Sequence, residues 1–229
     1  MKQRNTNIGI TGILLLLFAG FGCVNAVPES KEIEVPFTSQ APAGDWSQPW
    51  KDACEETSIY MVASFYAGDD IKREEAIKKI REILKTKNET FKVSKDESLA
   101  TIAELIDELG LPWNARIVYD PTVDDLKKEL SEGRPIIVPV YAPALGNPYY
   151  GGGVYYHVLV LTGYDDADDV FVVNDPGTKR GEGLRFKYDT FMGAIHDLNP
   201  KDLDAGKKAV LFTSAKSDLQ LWFEGLSAE

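Results

Sequence analysis

The sequence contains very little cysteine and histidine. Among its 229 residues, two are cysteine, Cys23 and Cys54, and two are histidine, His157 and His196. Once the N-terminal segment that holds Cys23 is removed, Cys54 has no partner for an intramolecular disulfide. So few thiols and imidazoles also disfavour a zinc site, and we expect neither a metal nor a cofactor.

The sequence also contains fewer basic residues than acidic ones. The chain carries 25 Lys and Arg against 36 Asp and Glu, a formal net charge of −11. The first 26 residues hold two basic and no acidic side chains, so removing them would take the charge to about −13. This acidic balance disfavours nucleic acid as a partner, because the phosphate backbone attracts basic surfaces.

Long apolar runs are absent from the sequence except near the N-terminus. Residues 1–26 contain Lys2 and Arg4, then ILLLLFAGFG, then small residues that end at Ala26, which is the pattern of an export signal cleaved after Ala26. An uncleaved N-terminal membrane anchor and a lipidated Cys23 are the alternatives. In each case we expect residues 27–229 to be exported, either secreted or attached to the cell envelope.

Hydrophobic periodicity predicts helices in the first half of the domain and strands in the second. Residues 32–50, rich in Pro, Gly and Trp, are predicted to form an ordered irregular loop. A single α+β domain over residues 27–229, with a helical lobe and a mostly antiparallel sheet, follows from this order. The predicted helices are 54–65, 73–85, 98–110, 123–133 and 189–198, and the predicted strands are 114–119, 134–142, 157–164, 169–176, 183–188 and 207–213.

Cys54 opens the predicted central helix, in the stretch KDACEETSIYMVASFY. A helix N-terminus favours an anion through its free N–H groups and its dipole, so a thiol there can become a thiolate nucleophile. Glu55 and Glu56 follow at once and would repel that thiolate, so a nearby imidazolium would be needed. A buried, unreactive cysteine is the alternative interpretation.

Two histidines are available as the base. His196 lies in a short amphipathic helix, where a solvated role is ordinary, whereas His157 opens the strand HVLVLTGY. If this strand pairs with DVFVVNDP as a hairpin in which Tyr164 faces Val170, or Gly163 faces Asp169, His157 and Asp175 share one sheet face. A slip of one residue would separate them. Asp175 could equally serve only the Asp-Pro-Gly turn.

Several segments together resemble the papain-like cysteine peptidases related to bacteriocin-leader-processing peptidases, and in particular their stand-alone, family thirty-nine-like domains. The resemblance spans about residues 35–213 and is weakest over the helical lobe, residues 68–111. It is carried by VPFTSQAP, ACEETSIYMV, LKKELSEGRPIIVPV, YYHVLVLTGYDD and VVNDPGT.

The resemblance implies a role for each of four residues. Cys54 would be the nucleophile, His157 the general base and acid, Asp175 the orienting carboxylate, and Gln40 the side-chain donor to the oxyanion. Gln48, six residues before the cysteine, is a rival to Gln40. Many relatives have glycine directly after the cysteine where this chain has Glu55, and this difference bears on how a substrate approaches.

The function expected on this basis is hydrolysis of peptide bonds in a peptide or protein substrate, through a covalent thioester. A papain-like module that binds peptides without cleaving them is one alternative. A cysteine transpeptidase or peptidoglycan amidase that uses the same three residues is another.

Overall fold

The computed structural model describes residues 26–92, 95–217 and 220–221. The predicted export signal therefore lies, apart from Ala26, outside the described residues. Within these ranges, no helix combines the length and the apolar character needed to cross a membrane.

Six helices form in the described residues, most of them where the periodicity predicts. The helices are α1 (Cys54–Ala67), α2 (Arg73–Phe91), α3 (Leu99–Glu108), α4 (Val123–Ser131), α5 (Ala142–Leu145) and α6 (Tyr188–Ala194). Helix α1 is followed by Gly68, whose φ of 71° is the left-handed conformation that glycine adopts easily at a helix end. Helix α2 runs further than predicted, and the short helix α5 was not predicted.

One antiparallel sheet holds the seven strands of the described residues. The strands are β1 (Ser30–Glu32), β2 (Trp113–Tyr119), β3 (Ile136–Tyr141), β4 (Tyr156–Asp165), β5 (Val170–Asn174), β6 (Leu184–Lys187) and β7 (Ala209–Ala215). Their order is β2-β7-β3-β4-β5-β6, and β1 pairs with the end of β4. Strand β1, which ends at the first residue of the segment predicted to be a loop, was not predicted. With the helices packed on this sheet, the predicted α+β fold is confirmed.

Helix α1 lies at the centre, packed against β4 and α2. The sequence predicts an apolar stripe, but residues 54–62 of α1 are buried on all sides, including four polar ones. Ser58 satisfies its hydroxyl by donating to the carbonyl of Val158 on β4, at 3.2 Å. Burying a polar face needs such partners, because an unpaired polar group is costly in the interior.

A β-bulge sets the register between β4 and β5. At the loop end Tyr164 pairs with Phe171 and Asp165 with Val170, so both pairings predicted from the sequence are wrong. The register shifts by one residue between Leu161 and Gly163, because a bulge adds one residue to one strand. Beyond it Val160 pairs with Asn174, which returns His157 and Asp175 to the same face of the sheet.

Strand β1 extends the sheet where β4 reaches past β3. Glu32 pairs with Gly163, and a Cβ at Gly163 would lie 2.5 Å from the carbonyl oxygen of Lys31. Only a residue without a side chain therefore fits beneath this strand.

We expect Gly163→Ala to lower the free energy of unfolding by about 1–3 kcal/mol, the usual cost of overpacking. Gly193→Ala is the matched control, since a Cβ there meets no atom within 4 Å. Thermal unfolding followed by circular dichroism measures both. Equal midpoints for the two variants would contradict the close approach of β1.

Candidate active site

A groove of about 670 Å³ opens between the loop before α1, the loop before β4 and the turn after β5. Both Cys54 and His157 lie in its wall, while Asp175 is fully buried behind them. The rest of the wall combines aromatic rings with charges of both signs. These include Trp46, Tyr149, Tyr155, Lys51, Asp96 and Lys179.

Cys54 is the first residue of α1, as predicted. The first main-chain hydrogen bond of the helix runs from the Thr57 N–H to the Ala53 carbonyl, at 3.1 Å. The N–H groups of Cys54 and the next two residues therefore have no carbonyl partner within the helix. Such free N–H groups favour negative charge beside them.

The immediate partner of the Cys54 sulfur is Glu55, the residue that follows it. Sγ lies 3.1 Å from Glu55 Oε2, and no hydrogen bond joins Sγ to His157 in the part of the chain that is described. Burial raises the pKa of the Cys54 thiol well above its ordinary value, and the charge of Glu55 raises it further. As arranged here, an ionised Glu55 would hold the sulfur as a neutral thiol.

His157 and Asp175 form a buried pair. His157 Nε2 lies 2.7 Å from Asp175 Oδ1, and the other ring nitrogen, Nδ1, bonds to none of the described residues. Burial raises the pKa of Asp175, but the charge and hydrogen bond of His157 outweigh it, with help from the Tyr150 hydroxyl and the Gly177 N–H. The net pKa lies below its ordinary value, so Asp175 is a carboxylate that can fix the imidazole tautomer.

Two further residues hold Asp175 and were missed by the sequence reasoning. The Asn147 side-chain amide and the Tyr150 hydroxyl each donate to Asp175 Oδ2 at 2.6 Å. The Tyr150 ring also meets the His157 ring edge to face, with centroids 5.4 Å apart. Both lie in the loop before β4, whose spacing from Asp175 in sequence gives no signal of contact.

The Asp-Pro-Gly turn has a packing role as well. A Cβ at Gly177 would lie 2.9 Å from His157 Cε1, so glycine leaves room for the imidazole. The Gly177 N–H also donates to Asp175 Oδ1 at 2.8 Å. The turn and the His157–Asp175 pair are thus one structure, and the two interpretations of Asp175 from sequence do not exclude each other.

Of the two candidate glutamines, Gln40 lines the groove and Gln48 does not. The Gln40 amide donates to the carbonyls of Trp50 and Lys51, at 3.0 and 2.8 Å, which occupies both of its N–H groups. Its Oε1 is buried without a partner among the described residues. Gln48 bonds instead to Asp52, at 2.6 Å on the surface.

The first turn of α1 also carries a buried ion cluster. Lys87 of α2 is fully buried, with its Nζ 2.5 Å from Glu56 Oε1 and 3.0 Å from Glu97 Oε1. Burial raises the pKa of Glu97 to about 7, although Lys87 opposes the rise. The lysine therefore fixes the start of α1 to the segment before α3.

We expect Lys87→Met to destabilise the fold by about 3–5 kcal/mol, because it leaves buried carboxylates without a cation. Lys85→Met, on the same helix with an exposed side chain, should change stability little. Urea unfolding compares the two. A Lys87→Met protein as stable as the Lys85→Met protein would show that the cluster does not hold α1 in place.

A cysteine at the N-terminus of a central helix, packed on an antiparallel sheet that carries a histidine, defines the papain-like α+β fold. The chain belongs to the Peptidase_C39 like family, whose family model matches residues 32–196. The earlier resemblance to that family is confirmed. A search of curated proteins found no match.

The solved structures similar to this one include a C39-like peptidase and a cysteine protease. A Bacillus anthracis protein described as a C39-like peptidase is 20% identical with a TM-score of 0.52, and the match covers 82% of this chain and 99% of that one. Xylellain, a cysteine protease from Xylella fastidiosa, is 15% identical with a TM-score of 0.41, over 84% and 87% of the two chains. At these identities, the first match supports the fold.

Proposed function

We propose that the protein is an exported cysteine peptidase that hydrolyses peptide bonds with Cys54, His157 and Asp175. The observation that carries the proposal is the hydrogen bond from His157 to the buried Asp175, with His157 in the same groove wall as a cysteine at a helix N-terminus. Membership of a peptidase family supports the reaction class. Export rests on the sequence of residues 1–26 alone.

Each residue has a distinct task in the proposed mechanism. Asp175 holds Nε2 of the ring, so Nδ1 is the nitrogen left to take the proton from Cys54. The thiolate then attacks the carbonyl carbon of the scissile bond, and the carbonyl oxygen becomes an oxyanion. Nδ1 returns the proton to the leaving amine, and a thioester remains on Cys54.

Hydrolysis of the thioester repeats these steps with water. His157 Nδ1 takes a proton from the water, whose oxygen attacks the thioester carbon. The second tetrahedral intermediate collapses, the thiolate leaves, and the proton returns to the sulfur as the carboxylate product departs.

The oxyanion needs hydrogen-bond donors in both steps. The Cys54 main-chain N–H has no carbonyl partner in the helix and lies beside the reacting sulfur. The Gln40 side chain could add a second donor only by exchanging its hydrogen bond to Trp50 or Lys51 for one to the oxyanion.

A peptide-binding module without turnover is the second candidate. The observation that favours it is the contact of Cys54 Sγ with Glu55 in place of His157. A measured affinity for peptides that survives Cys54→Ala, with no cleavage by the wild type, would select this alternative.

We expect Cys54→Ala and His157→Ala each to abolish cleavage while the protein stays folded. The matched control is His196→Ala, because among the described residues the His196 ring forms a hydrogen bond only with the Ala194 carbonyl. The purified proteins are incubated with a peptide library and with cell-wall fragments, and products are read by mass spectrometry. Cleavage by either of the first two variants would remove that residue from the mechanism.

The same assay separates hydrolysis from transfer. With an added amine, a peptidase gives the free carboxylate, whereas a transpeptidase gives the amide of the added amine. Products released from cell-wall fragments, with no cleavage of the peptide library, would identify a peptidoglycan amidase.

We expect Asp175→Asn to lower kcat by about 10³-fold or more, because donors face both oxygens of the carboxylate and an amide has only one oxygen. With that oxygen turned to Asn147 and Tyr150, the amide NH₂ faces Nε2 and favours the wrong tautomer of the imidazole. Asp197→Asn is the control, since Asp197 binds the main chain at the start of α3 and does not contact His157. Steady-state kinetics on a peptide found by the library measures both. Similar kcat values for the two variants would contradict the role of Asp175.

A further inference from the structure

Three buried carboxyl groups surround one lysine behind Cys54. Glu56 and Glu97 contact Lys87 directly, whereas Glu55 forms no ion pair with any residue in the described ranges. A single positive charge cannot compensate three buried negative charges. The carboxyl group without a cation is therefore the one to keep its proton.

The contacts of Glu55 indicate where that proton lies. The Glu97 N–H donates to Glu55 Oε1 at 3.1 Å, so Oε1 acts as an acceptor. The other oxygen, Oε2, faces the Cys54 sulfur at 3.1 Å. A neutral Glu55 then carries its proton on Oε2, where the only partner among the described residues is the sulfur.

We propose that Glu55 is a further catalytic residue of this site, which as a neutral carboxylic acid donates a hydrogen bond from Oε2 to the Cys54 thiolate. The thiol proton passes to His157 Nδ1, and Glu55 keeps its own proton throughout. The inference rests on the proposed function, since a stabilised thiolate matters where Cys54 is a nucleophile. It also turns the residue that departs from the glycine of many relatives into part of the mechanism.

Charged groups on α1, on α2 and in the segment before α3 decide the state of Glu55. Burial raises its pKa well above the ordinary value, and Glu56 and Glu97 raise it further, while Lys87 lowers it and Asp96 adds a smaller rise. Tyr156 of β4, also buried, is the remaining titratable neighbour and is neutral over the same range.

The proton on Glu55 makes the site respond to pH. Below the raised pKa, Glu55 donates to the thiolate and stabilises it. As the pH rises through that pKa, Glu55 becomes a carboxylate that repels the thiolate and accepts from the thiol. The reactivity gained from Glu55 is therefore present at low pH and lost as the pH rises.

Glu55→Gln tests this directly, because its amide oxygen can accept from the Glu97 N–H and its NH₂ then faces the sulfur at every pH. We expect iodoacetamide to alkylate Cys54 in this variant as fast as in the wild type at about pH 5, and about tenfold faster once the pH has risen through the raised pKa of Glu55. Glu55→Met fills the same space without a hydrogen-bond donor. Its Cys54 should react about tenfold more slowly than that of Glu55→Gln throughout this pH range. Mass spectrometry of the labelled peptide gives the rates.

Two results would overturn the proposal: a wild type that reacts more slowly than Glu55→Gln already at about pH 5, or Glu55→Met reacting as fast as Glu55→Gln. Circular dichroism checks that each variant is folded, and if Glu55→Met is not, the comparison of Glu55→Gln with the wild type decides. Because labelling needs no substrate, a wild type that labels as expected but cleaves no peptide would contradict the proposed hydrolysis and leave the role of Glu55 standing.

Discussion

The hydrogen bond between His157 and Asp175 depends on two neighbouring strands presenting both side chains on one face of the sheet. With the pairing found at the loop end of β4 and β5, an uninterrupted ladder would place them on opposite faces. The bulge beside Gly163 corrects this, and β1 covers the edge of β4 at that point. A feature far from the groove thus decides whether the pair forms at all.

Buried charge is the second constraint on the site. The start of α1 carries Glu55 and Glu56 into the interior, where ionised groups are costly unless they are paired. Lys87 compensates Glu56 and Glu97 through direct contacts, and Glu55 is left beside the sulfur. The arrangement that stabilises the helix start therefore also sets the electrostatic environment of Cys54.

The larger elements were predictable because their signals are local. Apolar periodicity predicts helices and strands, and the short list of cysteine and histidine residues points to Cys54 and His157. The bulge was not predictable, because no local signal marks it and β1, the strand that packs beside it at Gly163, is distant in sequence. Lys87 lies beyond the predicted end of its helix, and only its burial reveals its role.

Polar contacts between loops could not be predicted from the sequence for the same reason. In the loop before β4, the side chains of Asn147 and Tyr150 donate to Asp175. No periodicity connects these residues, since the loop has no regular geometry. The catalytic roles proposed for Cys54, His157, Asp175 and Gln40 remain predictions that the fold makes testable.

The central claim is that the groove converts the Cys54 thiol into a thiolate paired with His157. The most direct measurement is the ultraviolet absorbance of the thiolate as a function of pH, taken as the difference between the wild type and Cys54→Ala. Burial and an ionised Glu55 both raise the pKa of the Cys54 thiol, and the account holds that a protonated Glu55 and the imidazolium of His157 reverse this rise. We therefore expect the signal to persist at acidic pH, well below the value of about 8.5 at which a free cysteine ionises. A signal that appears only above that value would contradict the account.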